Sequence, residues 1–150
     1  MKTRITIIIT IVLIGLGIIF YTTKPKVELW IYEDLPNNYV IEKISETDMI
    51  FGKKENGKII INKDDKKIGL QEYIAEFSYG KKYITLKCLK PNKEKNTVDV
   101  SFYIIDSEKE DIHGPYNLES TYLEEKNKII DEELSDWIKT IETPKSAKQK

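Results

Sequence analysis

The sequence predicts an α+β protein: an antiparallel β meander of about six strands packed by a C-terminal helix and preceded by one N-terminal transmembrane helix. Three observations predict it. An uncharged apolar run occupies residues 5–22, apolar and polar positions alternate between turn signals from Val27 to Ile105, and no Gly or Pro interrupts the acid-rich stretch from Asn117 to Thr143. The resulting division is a cytoplasmic N-terminus over 1–4, an anchor over 5–22, a linker over 23–26, an extracytoplasmic α+β domain over 27–143, and a disordered tail over 144–150.

The apolar run, ITIIITIVLIGLGIIFYT, is as a helix just long enough to cross the hydrocarbon core, at about 1.5 Å per residue against roughly 30 Å. Its Ile, Leu, Val and Phe residues favour insertion by on the order of 4 to 7 kcal/mol, which outweighs Thr6, Thr10 and two glycines. Ile5, Ile9, Leu13, Leu16 and Phe20 carry the anchor. A cleaved signal would want small residues before its cleavage site, whereas this segment ends in Phe20-Tyr21-Thr22-Thr23-Lys24-Pro25; a buried core helix would show a polar stripe, and none is present. Lys2 and Arg4 face Lys24 and Lys26 across the span, and with the terminal amine the positive-inside tendency favours a cytoplasmic N-terminus. The expected location is the cell membrane, single-pass, with the folded domain outside.

Composition narrows the function classes. Hydrophobic residues at 40% and aromatics at 10% can build an ordinary core. The 24 basic residues less Lys2 and Arg4 leave 22 against 25 acidic ones, a balance of −3 beyond the anchor. Nucleic-acid binding needs an excess of Lys and Arg over phosphates, so that partner is disfavoured. Cys88 is the only cysteine, which excludes an intramolecular disulfide and a lipid-attachment cysteine after the span.

VELWIYE, residues 27–33, alternates Val27, Leu29 and Ile31 with Trp30 and Tyr32, a strand apolar on both sides. Pro36-Asn37-Asn38 turns the chain, YVIEKIS and DMIFGKK follow as strands, and Asn56-Gly57 is the strongest hairpin signal because both residues tolerate positive φ. KIIIN, 58–62, returns. A type II′ loop at Gly80-Lys81 would set Tyr79 opposite Lys82, Phe77 opposite Ile84, Ala75 opposite Leu86 and Tyr73 opposite Cys88, making one face apolar and leaving Ile74 on the other. Cys88 is then a core residue. After the polar connection 91–96, Val98, Val100, Phe102 and Ile104 read as the face that matches the preceding strand, with Tyr103 and Ile105 opposite. Asn117 is the expected cap of a helix whose stripe is Leu123, Ile130, Leu134, Trp137, Ile138 and Ile141, with a break near Asp131 and a second helix from Asp131-Glu132-Glu133.

One segment concentrates chemistry. Asp106, Glu108, Glu110 and Asp111 surround the only histidine, His113. A metal or acid-base site needs converging ligands or shifted carboxylates, and DSEKE has turn composition with a lysine interleaved, so a solvated hairpin is expected there. His113 precedes Gly114-Pro115 as a structural or exposed residue, and NKDDKK lacks the ligand spacing of a calcium loop. No catalytic residue, cofactor, metal or small-molecule ligand is expected.

Tyr103-Ile104-Ile105-Asp106, a charged turn, Ile112-His113-Gly114-Pro115-Tyr116 and an acidic helix with Glu119, Tyr122 and Glu125 resemble the closing module of a family of small proteins from low-GC Gram-positive bacteria, a domain of unknown function. Its pattern is Y-x-I-D, a turn, then G-P and a helix, and its members follow a membrane anchor or a lipoprotein signal. The likeness covers about the last third of the folded domain and implies fold and location, not catalysis. This chain lacks the lipobox cysteine.

Two surface features complete the reading. Lys53, Lys54, Lys58, Lys63, Lys66 and Lys67 gather around the Asn-Gly hairpin, and Tyr79, Tyr83, Tyr103 and Tyr116 are spaced to line a face. Interleaved charges and cross-strand packing account for both, while Lys53, Lys54, Lys58, Tyr79 and Tyr83 form the candidate interaction surface. The expected function is a cell-envelope binding module whose partners are the lipid bilayer and an envelope or membrane protein. The alternatives are an immunity-type protein that neutralises a toxin, and an enzyme.

Overall fold

Turn chemistry lays out the first half of the domain. In the computed structural model the described residues are 28–141, 144 and 147–149. β1 (Trp30–Tyr32) leads to a 3-10 turn, Pro36–Asn38, in which Asn37 and Asn38 take φ of 55° and 63°. β2 (Tyr39–Lys43) and β3 (Met49–Glu55) follow, and Asn56 and Gly57, at φ 51° and 77°, close the expected two-residue hairpin onto β4 (Lys58–Ile60). Asp64 and Asp65, also at positive φ, form the turn between β5 (Asn62–Lys63) and β6 (Lys66–Lys67). The chain then folds back as β7 (Leu70–Gln71) onto β3. Gly69 permits this return, because a Cβ there would lie 2.4 Å from the Phe51 carbonyl oxygen.

The second half contains β8 (Tyr73–Tyr79), β9 (Tyr83–Asn92), β10 (Thr97–Asp106), β11 (Asp111–Tyr116), α1 (Glu119–Ile129), β12 (Ile138–Lys139) and β13 (Lys148–Gln149). The described strands pair antiparallel in two main sheets, not in one meander of six. The first runs β13-β1-β2-β3-β4 with β7 also on β3; the second runs β11-β10-β9-β8-β12. The described residues form an α+β fold, mostly antiparallel sheet with one α-helix.

The two sheets enclose the main core. Trp30, Tyr39, Ile41, Met49 and Phe51 from the first pack with Ile74, Phe77, Ile84, Leu86, Tyr103 and Ile105 from the second. Each such burial contributes roughly 1.5–3 kcal/mol relative to exposure. On the outer face of the second sheet, Tyr83, Phe102, Ile104 and Tyr122 of α1 make a smaller cluster. The second sheet is therefore covered on both sides, which is why β10 reads as apolar at nearly every position from Phe102 to Ile105.

Three expectations are corrected. Phe102 and Ile104 belong under the helix, and it is Tyr103 and Ile105 that share the face of Leu86 and Ile84, their paired residues on β9. The β8–β9 loop is Lys81-Lys82, one residue later than expected: Gly80 donates its N–H to the Tyr83 carbonyl at 2.9 Å, Tyr79 pairs with Ile84 and Phe77 with Leu86. Because the partner slips by two residues, an even number, Phe77, Ile84 and Leu86 keep the predicted face. Beyond a bulge at Ala75 the parity changes, so Ile74 pairs with Cys88 and turns into the core. Thr140 fixes that bulge, with its N–H at 2.9 Å and its hydroxyl at 3.1 Å from the Ala75 carbonyl and the hydroxyl also bonded to the Ile74 carbonyl.

The C-terminal region departs furthest. α1 ends at Ile129, its first cap position is Leu118 and not Asn117, and that cap makes no side-chain hydrogen bond. The break near Asp131 is present, but among the described residues no second helix follows. Residues 130–137 lead instead into β12, where Ile138 pairs with Phe77. Of the predicted stripe, Ile130 and Leu134 are partly buried against the cluster of Tyr122 and Ile138 against the main core, while Leu123, Trp137 and Ile141 are exposed; the fully buried residue of α1 is Tyr122. Lys148–Gln149 pair with β1 where a frayed tail was expected, and Pro144 is buried.

The anchor, with Ile5, Ile9, Leu13, Leu16 and Phe20, lies outside the described residues, as does Val27. Among the described residues no helix is long and apolar enough to cross a membrane.

Candidate interaction surface

Lysines of the first sheet and of the β5–β6 hairpin meet carboxylates next to β1, on β3 and around the β10–β11 turn. Lys53, opposite Tyr39 on β2, pairs with Glu110, and Lys54 pairs with Glu33. Lys148 and Lys54 together hold the Glu33 carboxyl down to about 2. Lys63 lies 3.0 Å from Glu55 and 3.8 Å from Glu110, and Lys66 lies 3.3 Å from Asp111 and donates to the Lys109 carbonyl at 3.2 Å. Lys58 is exposed at the start of β4. The basic hairpins thus tie the β10–β11 turn to the first sheet. A shallow cavity of about 240 Å³ beside this seam is lined by Glu33, Asn38, Val40 and Lys54.

The two tyrosines of the predicted surface sit elsewhere. Tyr79 shares a 2.9 Å hydroxyl hydrogen bond with Tyr32, and its ring lies 6.4 Å from Phe77. Tyr83 is buried in the cluster beneath α1, and Lys82 Nζ stands over its ring, 4.8 Å from the centre. The five predicted residues are therefore not brought to one place.

Asp106 corrects the expectation of a fully solvated turn. It is 2% exposed and accepts the N–H groups of Glu108 at 3.2 Å and Lys109 at 3.0 Å, with Lys109 Nζ at 3.4 Å and Lys82 Nζ at 3.7 Å. Burial pushes its carboxyl up, but the Lys109 backbone bond and the two ammonium groups outweigh burial and leave it below the usual range. Ser107 donates to the Lys82 carbonyl and accepts from Asn37 Nδ2 at 2.8 Å, so the turn is pinned to both loops beside it. His113, opposite Ile104, places Nε2 3.7 Å from Asp111. Among the described residues no three His, Cys, Asp or Glu side chains are placed to hold a metal. Burial, with the Glu72 charge beside it, pushes the Cys88 thiol far up, the opposite of what a nucleophile needs.

Near this junction Tyr39 is fully buried, its ring stacked 5.0 Å from Phe51, and its hydroxyl has no hydrogen-bond partner among the described residues. Burial, then the charges of Glu110 and Asp106, push that hydroxyl's pKa up. An unsatisfied buried hydroxyl contributes nothing to offset its desolvation, so Tyr39→Phe is expected to leave stability unchanged or raise it by about 1 kcal/mol. Urea denaturation checks this; a loss above about 1 kcal/mol at constant m-value would mean the hydroxyl has a partner.

A different surface presents apolar groups to solvent. Tyr122 points from α1 into the second sheet, stacked 4.8 Å from Phe102. Trp137, 6.4 Å from the Tyr122 ring, and Leu118, one turn before it, remain 38% and 65% exposed, and Leu123 is 46% exposed. Isolated exposed leucines are ordinary; an exposed tryptophan set against the helix tyrosine that Leu118 and Leu123 flank along the chain is less so. What holds Trp137 there is long-range bonding. Ser135 donates its N–H to the Tyr79 carbonyl at 2.8 Å and accepts the Tyr79 N–H at 3.2 Å, and Glu132 accepts the N–H groups of Lys81, Lys82 and Tyr83 at 3.1, 2.9 and 2.8 Å. The apolar spacing predicts Trp137 in a buried stripe; Asp131, Glu132, Glu133 and Asp136 just before it are the signal in the sequence that this stretch faces water.

No family model matches the chain, nor does any curated protein or solved structure.

Proposed function

We infer that this is a single-pass protein of a bacterial cell envelope, anchored by Ile5, Ile9, Leu13, Leu16, Phe20 and their neighbours, whose domain acts outside the cytoplasm by binding another protein. The observation that carries the binding role is the solvent-facing group of Leu118, Leu123 and Trp137 on a domain with a complete core of its own. Large apolar side chains left exposed, with the segment of Trp137 fixed by the Ser135 and Glu132 hydrogen bonds, are what a docking surface needs. The uncharged run over 5–22 and the Y-x-I-D…G-P resemblance support the address.

The address is tested by adding protease to intact cells that carry a C-terminal epitope. The epitope is expected to be lost without lysis. Protection until lysis would place the domain in the cytoplasm. Photo-crosslinking from position 123 in the same cells tests the binding role, with a discrete membrane or envelope adduct expected and none formed from position 93 on the opposite hairpin.

A further inference from the structure

We propose that the α1–Trp137 face captures a cationic amphipathic peptide segment, one that presents Lys or Arg beside a bulky apolar row. This rests on the binding-module reading and names its partner's chemistry. Two observations combine. The first is the exposed apolar group of Leu118, Leu123 and Trp137. The second is charge: residues 117–137 hold seven carboxylates against Lys126 and Lys128, whereas residues 28–116 hold 17 against 14. Lys128 meets Glu124 and Glu125, each at 2.8 Å, and Glu132 is engaged by the Lys81–Tyr83 backbone. Glu119 on α1 and Asp131, Glu133 and Asp136 in the segment that carries Trp137 remain exposed.

That pairing selects against other occupants. An anionic lipid surface would be repelled by these carboxylates, and a purely apolar partner would desolvate them without compensation. A segment with both features buries Trp137 while its ammonium or guanidinium groups meet the acidic rim, so each half of the contact removes the cost of the other.

The test uses the full chain in nanodiscs of zwitterionic lipid and a fluorescein-labelled helical peptide built of Leu and Lys, read by anisotropy against empty nanodiscs. Saturable binding is expected, with a Leu/Glu peptide and a Ser/Lys peptide binding at least tenfold more weakly. Two variants divide the contact: Trp137→Ala with Leu123→Ser, and Glu119→Gln, Asp131→Asn, Glu133→Gln with Asp136→Asn. Each is expected to weaken the Leu/Lys peptide roughly tenfold or more, and the second also to flatten the salt dependence. The carboxylate variant alters exposed groups only and keeps the test valid if the first variant fails to fold. Absence of saturable binding, wild-type affinity in the carboxylate variant, or equal binding of the Leu/Glu peptide would overturn the proposal. So would a dimer that occupies this face and dissociates in both variants. Because peptide is added directly, a domain found in the cytoplasm would sink the address and leave this result standing, and the reverse holds as well.

Discussion

Phe77→Ala is expected to cost about 3–5 kcal/mol of unfolding free energy, the range for truncating a fully buried aromatic. Phe77 is fully buried between the sheets, edge-on to Tyr32 at 4.9 Å and paired with Leu86 on one side and Ile138 on the other. Its loss opens a cavity where the two sheets meet beside β12, so neighbours on three elements lose contacts that rigid strands cannot restore by collapse. Against a typical total of roughly 5–15 kcal/mol, the variant would stand close to unfolding at ambient temperature. Urea titration of the wild type, Phe77→Ala and the exposed control Val98→Ala checks this. The control is expected to stay within about 0.5 kcal/mol. A Phe77→Ala loss below about 1 kcal/mol would mean that the sheets do not pack through this residue.

Glu132→Ala is expected to cost about 1–3 kcal/mol, because three consecutive backbone N–H groups of the β8–β9 loop lose their acceptor together. Glu132→Gln keeps one acceptor oxygen and should lose less. Burial pushes the Glu132 carboxyl up, but the Tyr83, Lys82 and Lys81 N–H groups bring it below the ordinary value of 4.5. A carboxyl held low in the folded state stabilises above its unfolded pKa, and that contribution fades as pH falls through the lower folded value. The difference between wild type and Glu132→Gln should therefore be full near pH 7 and shrink below about pH 4.5. Hydrogen exchange should also quicken at Ser135 and Thr140, whose N–H groups bond to Tyr79 and Ala75. Unchanged exchange there would mean that the segment is held without the Glu132 contact.

Local chemistry made much of the fold legible. Asn56-Gly57 and Pro36-Asn37-Asn38 adopt the turns their positive-φ tolerance predicts, and the alternation in β2, β3 and β9 is borne out as strand. What escaped is set at long range. Nothing around Ala75 marks a bulge; it follows from Thr140, 65 residues away, taking up the Ala75 carbonyl. The stretch after Ile129 has no breaker and a helical apolar spacing, yet Tyr79 and the Lys81–Tyr83 loop capture Ser135 and Glu132 before a second helix can form. For β10 the choice of face was hidden because both faces are covered, leaving no polar set to mark the outside.

The same reason obscured the candidate surface. The lysine and tyrosine positions singled out by composition disperse, Lys53 and Lys54 into ion pairs and Tyr83 into the core. Trp137, read as buried, is the outward residue because the segment carrying it is a strap along β8 and not the inner face of a helix. Asp106, read as solvated, folds inward because consecutive N–H groups of its own turn bond to it.

The chain has two tryptophans, and only Trp137 is solvent-facing; Trp30 is buried. Indole emission of full-length Trp30→Phe in nanodiscs, with acrylamide as quencher, therefore reports directly on the proposed surface. A red-shifted, readily quenched indole that shifts blue and becomes protected when the Leu/Lys peptide saturates is the predicted result. An indole already shielded before peptide is added, or one unchanged at saturation, would contradict it.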